Sequence, residues 1–233
     1  MESLTKITIF FEQGGFWMWP ILGFQLVSIA IIIERSIALF ARRKPNQMNF
    51  VLGFEDNFRR GEMDSVISKA DASKAEMPVA RAIAAGANVA KNFGGKDEIQ
   101  GKMDEVLLHE NNLLGQRVGF LSMLGNVATL TGLLGTIAGM IQAFAAVTFA
   151  NPADKATILA QGISVAMNTT AYGLIVAIPA LVAFAILQNR ANDLAEDMNQ
   201  SALKVYNWLS YSYDPIVTRP TPNKGQRSPE ANA

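Results

Sequence analysis

The chain has 233 residues, of which 50% are hydrophobic and only 17% charged, and its 20 basic and 20 acidic side chains cancel to a formal net charge of zero. With no cysteine there are no disulfides, thiolate nucleophiles or thiolate metal sites, and the single histidine, His109, leaves a metal centre or a histidine-based relay poorly supplied. The even scatter of Lys and Arg over the polar segments lacks the clustered footprint of nucleic-acid binding, whereas the exclusion of charge from three long windows marks an integral membrane protein.

In chain order, Leu4, Ile7, Phe10 and Phe11 recur at helical spacing ahead of Gly14-Gly15, which predicts an amphipathic interfacial segment over residues 1–15. The first uncharged window, Gln13 to Ile33, carries Trp17 and Trp19 near its start and predicts a first transmembrane helix over 16–40. It lacks the basic start and small-residue cleavage site of a signal peptide and is expected to stay in the mature protein. Glu34 and Arg35 close the window as an expected interfacial ion pair, and Arg42, Arg43 and Lys44 follow. By the positive-inside bias this cluster places the next segment in the cytoplasm and the N-terminus outside.

Residues 41–116 are polar and broken into helix-length pieces by Pro45, Gly61, Pro78 and Gly94-Gly95. Apolar faces at Met63, Val66, Ile67 and Ala70, and at Val79, Ala82, Ile83 and Gly86, predict a small helical cytoplasmic domain. Past the glycine pair, Asp97 with Gln100 three residues later is the expected cap of a single helix over 97–147, about 75 Å long at 1.5 Å per residue. His109 is expected on its surface. The second transmembrane helix, 117–147, lies in the uncharged run Val118 to Ala153. Gly125, Thr129, Gly132, Thr136, Gly139 and Ala143 form one small, partly hydroxylated stripe, which is expected to face protein or an aqueous path.

Asn151-Pro152 marks a turn in an external loop over 148–156. The third transmembrane helix, 157–189, repeats the small stripe with Gly162, Ala166, Thr170, Gly173 and Ala177, and holds Pro179, which predicts a kink. Leu194, Met198, Ala202, Val205 and Leu209 extend its apolar face into a cytoplasmic extension over 190–213. The proline-rich stretch 214–233 reads as a disordered tail. The predicted fold class is therefore an all-α integral membrane protein with three transmembrane helices, the second and third long and extended into a helical cytoplasmic domain.

Three spans with a polar domain after the first, Trp19-Pro20, Ile31-Ile32-Ile33-Glu34-Arg35, Gly132-Leu133-Leu134-Gly135-Thr136 and Gly173-Leu174-Ile175-Val176-Ala177-Ile178-Pro179-Ala180 together resemble the ExbB/TolQ branch of the MotA/TolQ/ExbB proton-channel family over roughly residues 10–210. The resemblance implies a motor stator subunit of the bacterial inner membrane, with its C-terminus cytoplasmic, that forms a pentamer around an ExbD/TolR-like single-span partner carrying a membrane aspartate. Residue by residue, it implies that Thr136 and Thr170 face the pore and hydrogen-bond along the proton path. Thr169, Gly132, Gly139 and Gly173 join them as candidate pore-lining positions. Val165 stands where this branch commonly has a glutamate, so no acid role is carried over there, and Asn168 is a second departure.

The residues themselves support a motor through an absence: no Asp, Glu, Lys, Arg or His occurs from Val118 to Ala153 or from Ala156 to Asn189. A relay inside the membrane normally uses ionisable groups, so a partner must bring the carboxylate. Neither the internal repeats of a substrate transporter nor the catalytic constellation of an enzyme is present in the pattern, and no cofactor or metal is expected. A passive membrane scaffold or assembly subunit is the alternative, since helix packing alone also explains the stripes. A ring is expected on the ground that a monomer would leave both stripes against lipid.

Overall fold

A computed structural model describes residues 15–41, 46–92 and 94–211, and these residues form helices joined by turns and short irregular connections, with no strand among them. Helix α1, Met18–Ser36, continues into a π-helical turn, Ile37–Ala41. Four short helices follow: α2 Gln47–Leu52, α3 Glu55–Arg59, α4 Met63–Ser73 and α5 Val79–Lys91. Three long helices complete the described residues: α6 Lys96–Gly115, α7 Val118–Phe149 and α8 Lys155–Tyr211. The interfacial segment up to Gly14, the basic cluster Arg42, Arg43 and Lys44, and the tail from residue 214 lie outside the described residues.

Among the described residues three helices are long and apolar enough to cross a membrane: Met18–Ala41, α7 with its α6 extension, and α8. The chain is an all-α, three-span membrane protein. Leu130, Ile137, Ile141 and Phe144 on α7, Leu174 and Ile178 on α8, and Leu26 and Ile33 on α1 are exposed, which hydrocarbon tolerates and water does not. Helix α8 has 57 residues and spans about 85 Å at 1.5 Å per residue, far more than a bilayer core. It runs on through Pro179 without interruption.

The fold has two packed regions. At the apolar end α7 and α8 pair along their length, and α1 lies across both, burying Met18 and Ile21 against Ala128, Tyr172, Val176 and Ala177. At the polar end α5, α6 and the second half of α8 enclose a core of Ile83, Ile99, Met103, Leu194, Met198 and Val205. Gly86 sits where a Cβ would meet the Met103 sulfur at 2.7 Å and Leu209 at 3.1 Å, so three helices converge on a position only glycine fills without repacking. Gln47, wholly buried, stitches this end together: its Nε2 donates to the Leu194 carbonyl at 3.3 Å, its Oε1 accepts from Val79 N–H at 2.9 Å, and its backbone N–H donates to Asp197 Oδ2 at 2.8 Å. Val79 N–H opens α5 and has no donor-satisfying carbonyl inside the helix, so a remote side chain serves as its cap.

Two local expectations are corrected. The helix predicted over 97–147 is two helices, because Gln116 turns extended (ψ 134°) and Arg117 adopts the left-handed region at φ 63°. A non-glycine residue there costs about 1 kcal/mol or more, and the break persists because side chains from α1 hold both of its edges. Arg117 Nη1 donates to both Glu34 carboxylate oxygens at 2.8 Å, and Arg35 Nη1 donates to the Leu113 carbonyl in the last turn of α6 at 3.3 Å. The cap of α6 is also different: the helix starts at Lys96, and Gly95 N–H donates to Glu98 Oε2 at 3.2 Å, while Asp97 lies within the first turn. The carboxylate three residues on takes the orphan donor, as in a capping box.

Candidate functional site: the threonine pair between two spans

The small stripes of α7 and α8 are turned toward each other. A Cβ on Gly132 would lie 3.2 Å from the Thr169 carbonyl oxygen and 3.3 Å from the Gly173 and Thr170 Cα atoms. A Cβ on Gly173 would lie 2.8 Å from the Ala128 carbonyl oxygen and 3.1 Å from the Gly132 Cα. These contacts are with backbone, which cannot rotate away, so the glycines set the distance between the helices. Gly139 packs in the same way on Ala166, and Gly162 on Ala143. One chain therefore covers its own stripes. The premise that a monomer would leave them against lipid does not hold, and the faces open to lipid or to another copy are instead the large apolar ones around Leu133, Ile137 and Met167.

Close approach brings hydroxyls together at the seam. Thr136 Oγ1 and Thr170 Oγ1 hydrogen-bond to each other across the two helices. Thr170 Oγ1 also meets the Gly132 carbonyl at 2.9 Å, and Thr136 Oγ1 meets the Gly132 and Ala166 carbonyls at 3.3 Å each. Both threonines are only partly buried, so the pair reaches the edge of the seam with donor and acceptor capacity held in place by backbone carbonyls. Thr169, by contrast, is 1% exposed and donates to the Val165 carbonyl of its own helix at 3.1 Å, and its methyl packs on Gly135. Gly132 and Gly173 are buried in the contact and Gly139 is half-buried there. Thr136 and Thr170 thus form one site, with Gly132 as its floor, while Thr169 points elsewhere.

Other candidates lie apart from this pair. Arg35 Nη2 bonds Glu34 Oε1 at 3.0 Å, and Arg117 completes a three-residue clamp at the junction of α1, α6 and α7. His109 is exposed on α6, and Asn168 and Val165 are half-buried on α8. Sequence reasoning passed over a second intramembrane polar group: Tyr172 O–H donates to Gln25 Oε1 at 2.5 Å, joining the third span to the first. Its signal was available, since Gln25 and Ser28 are polar, three residues apart and on one face of an otherwise apolar helix.

The MotA/TolQ/ExbB proton channel family matches residues 74–200, more than half of the chain, including all of α7 and the part of α8 that carries the threonines. Among similar proteins, the Tol-Pal system protein TolQ of Haemophilus influenzae is 28% identical over 76% of this chain and 80% of its own length. An ExbB-like biopolymer transport protein of Synechocystis is 31% identical over 72% of this chain and 79% of its own. The biopolymer transport protein exbB1 of Vibrio cholerae is 35% identical, but over only 38% of this chain and 39% of its own length. The chain belongs to the MotA/TolQ/ExbB proton channel family, on its ExbB/TolQ branch. This is a family of transport proteins.

Proposed function

We propose that the chain is the ring-forming subunit of a motor in the inner membrane of a bacterium, driven by the proton-motive force. In this reading a pentamer surrounds an ExbD/TolR-like single-span partner, with the polar helical end of the ring in the cytoplasm and the N-terminus in the periplasm. Proton flow is coupled to work on the cell envelope, either import across the outer membrane or envelope maintenance. The observation that carries the reading is the Thr136–Thr170 hydroxyl pair, set by interlocked glycines between two spans that hold no Asp, Glu, Lys, Arg or His of their own. Such hydroxyls pass hydrogen bonds along, but their protons are held too tightly to be bound and released near neutral pH. A partner aspartate placed beside them can titrate, because burial raises its pKa toward the working range while the hydroxyls stabilise its ionised form. The gradient then supplies about 2.3 kcal/mol per charge per 100 mV to bias the partner's motion within the ring.

The deciding experiment is proton flux into liposomes that hold the chain alone, the chain with its partner, or the chain with a partner whose aspartate is changed to asparagine. Flux confined to the second sample supports the motor. Equal flux in all three overturns it, and assembly without flux in any of them leaves the passive scaffold as the function.

A further inference from the structure

Between α1 and α8 lies a partly open cavity of about 120 Å³ lined by Gln25, Ser28, Ile29, Ile32, Ile175 and Pro179, among others; Ile29 and Ile175 are themselves exposed. Neither Thr136 nor Thr170 borders it. Three of its lining residues carry a polar group with hydrogen-bonding capacity to spare. Ser28 is 3% exposed, and its Oγ makes no hydrogen bond to any protein group, not even the back-bond to the preceding turn by which a helical serine usually satisfies itself. Pro179 has no N–H, so the carbonyl of Ile175, four residues earlier in α8, loses the donor that every ordinary helical position would supply. Gln25 uses its Oε1 to accept from Tyr172 O–H and keeps its amide N–H groups as donors.

We propose that this cavity is an intramembrane hydration site, occupied by one or a few water molecules that join Ser28 and Gln25 of the first span to the Ile175 carbonyl at Pro179 of the third. The chemistry selects water over other occupants. The available partners are a hydroxyl that donates and accepts, a carbonyl that accepts and an amide that donates, and a buried water takes two to four such bonds. None carries a charge, so an ion has nothing to pair with, and an acyl chain would leave all three groups unsatisfied in hydrocarbon. The volume is ample for a water, whose share of the liquid is about 30 Å³, whereas cavities lined only by apolar groups stay dry. A water there satisfies the carbonyl freed by the proline without recruiting another helix, which is how membrane helices tolerate an internal proline. It also couples the first span to the proline step of the third. The site goes beyond the proposed motor and stands whether or not the ring conducts protons.

The test uses the full-length chain in lipid nanodiscs, labelled at isoleucine δ1 methyls, with water itself as the probe. Magnetisation transfer from water is expected at the methyls of Ile29, Ile32 and Ile175. It should be lost in Ser28→Ala, which deletes the hydroxyl, and in Pro179→Ala, which returns an N–H to the Ile175 carbonyl. Ser28→Thr keeps the hydroxyl and should retain the transfer, which separates loss of the water from a general disturbance of the fold. Transfer from acyl-chain protons in place of water at these three methyls in the unaltered chain overturns the proposal, and this reading needs no variant. Water transfer that persists in both Ser28→Ala and Pro179→Ala overturns it as well, because it then comes from the membrane interface.

Discussion

Thr170 and Thr136 differ from Thr169 in burial and in where their hydroxyls end. The first two bond across the seam, while Thr169 bonds back into its own helix. Thr170→Val keeps the shape and deletes the hydroxyl, so proton flux with the partner should fall well below that of the native chain while the oligomer assembles normally. The same change at Thr169 should leave flux near native, and paired flux and size-exclusion measurements would separate the two. Gln47 illustrates a residue whose value is structural. Gln47→Ala removes two side-chain hydrogen bonds and leaves the Val79 N–H buried without its acceptor, at a cost of about 3 kcal/mol. A fall in the thermal midpoint without any change in the spectroscopic helix content of the folded protein would report it. A midpoint unchanged from native would mean that water or a neighbouring group takes over the cap.

Among the elements, the α7–α8 pair is governed by backbone contact. Gly173→Ala forces a methyl to within 2.8 Å of the Ala128 carbonyl, so the helices must separate, with an expected loss of about 1–3 kcal/mol. Because the threonines are carried on the same seam, a spin label pair on α7 and α8 should report a longer distance, and flux should fall although both hydroxyls remain. The α6–α7 break depends on charge. Glu34→Gln keeps the shape of the clamp but removes its ionic bonds to Arg117 and Arg35, so amide hydrogen exchange should accelerate around residues 113–118 and stay native in α5. Unchanged exchange at the break would show that backbone geometry alone maintains it.

For the whole molecule, the long continuous α8 links the membrane region to the polar helical end, so a displacement at the threonine seam has a rigid path out of the bilayer. Orientation follows from the proposed cytoplasmic placement of residues 41–116. Protease added from the periplasmic side of intact spheroplasts should spare this region, and cleavage there would reverse the topology. Cysteines introduced at Thr136 and Gly139 should resist lipid-phase labelling relative to one at Leu134, which is exposed on the outer face of α7. Labelling of Gly139 is already hindered within one chain, so position 136 is the informative one for the ring.

The all-α class, the three spans and the family were legible in the residues, because charge exclusion over a bilayer's thickness and the glycine-threonine motifs are local properties of the chain. That Thr136 and Thr170 belong to one path was legible only as an implication of resemblance, and neither their bond to each other nor the assignment of the two small stripes to each other within one chain was legible at all. A stripe records that something approaches closely, and its spacing is the same whether that partner is the next helix or the next subunit. The break at Arg117 escaped for the same reason. Helical periodicity continues across it, and what stabilises a left-handed arginine is a carboxylate on α1 that only the folded chain brings within 2.8 Å. Sequence by itself determined which segments must leave water, since that is a sum over neighbouring residues. Tertiary structure decided which small faces meet, which hydroxyls pair and which polar groups share a cavity, since these depend on distances between residues far apart in the chain.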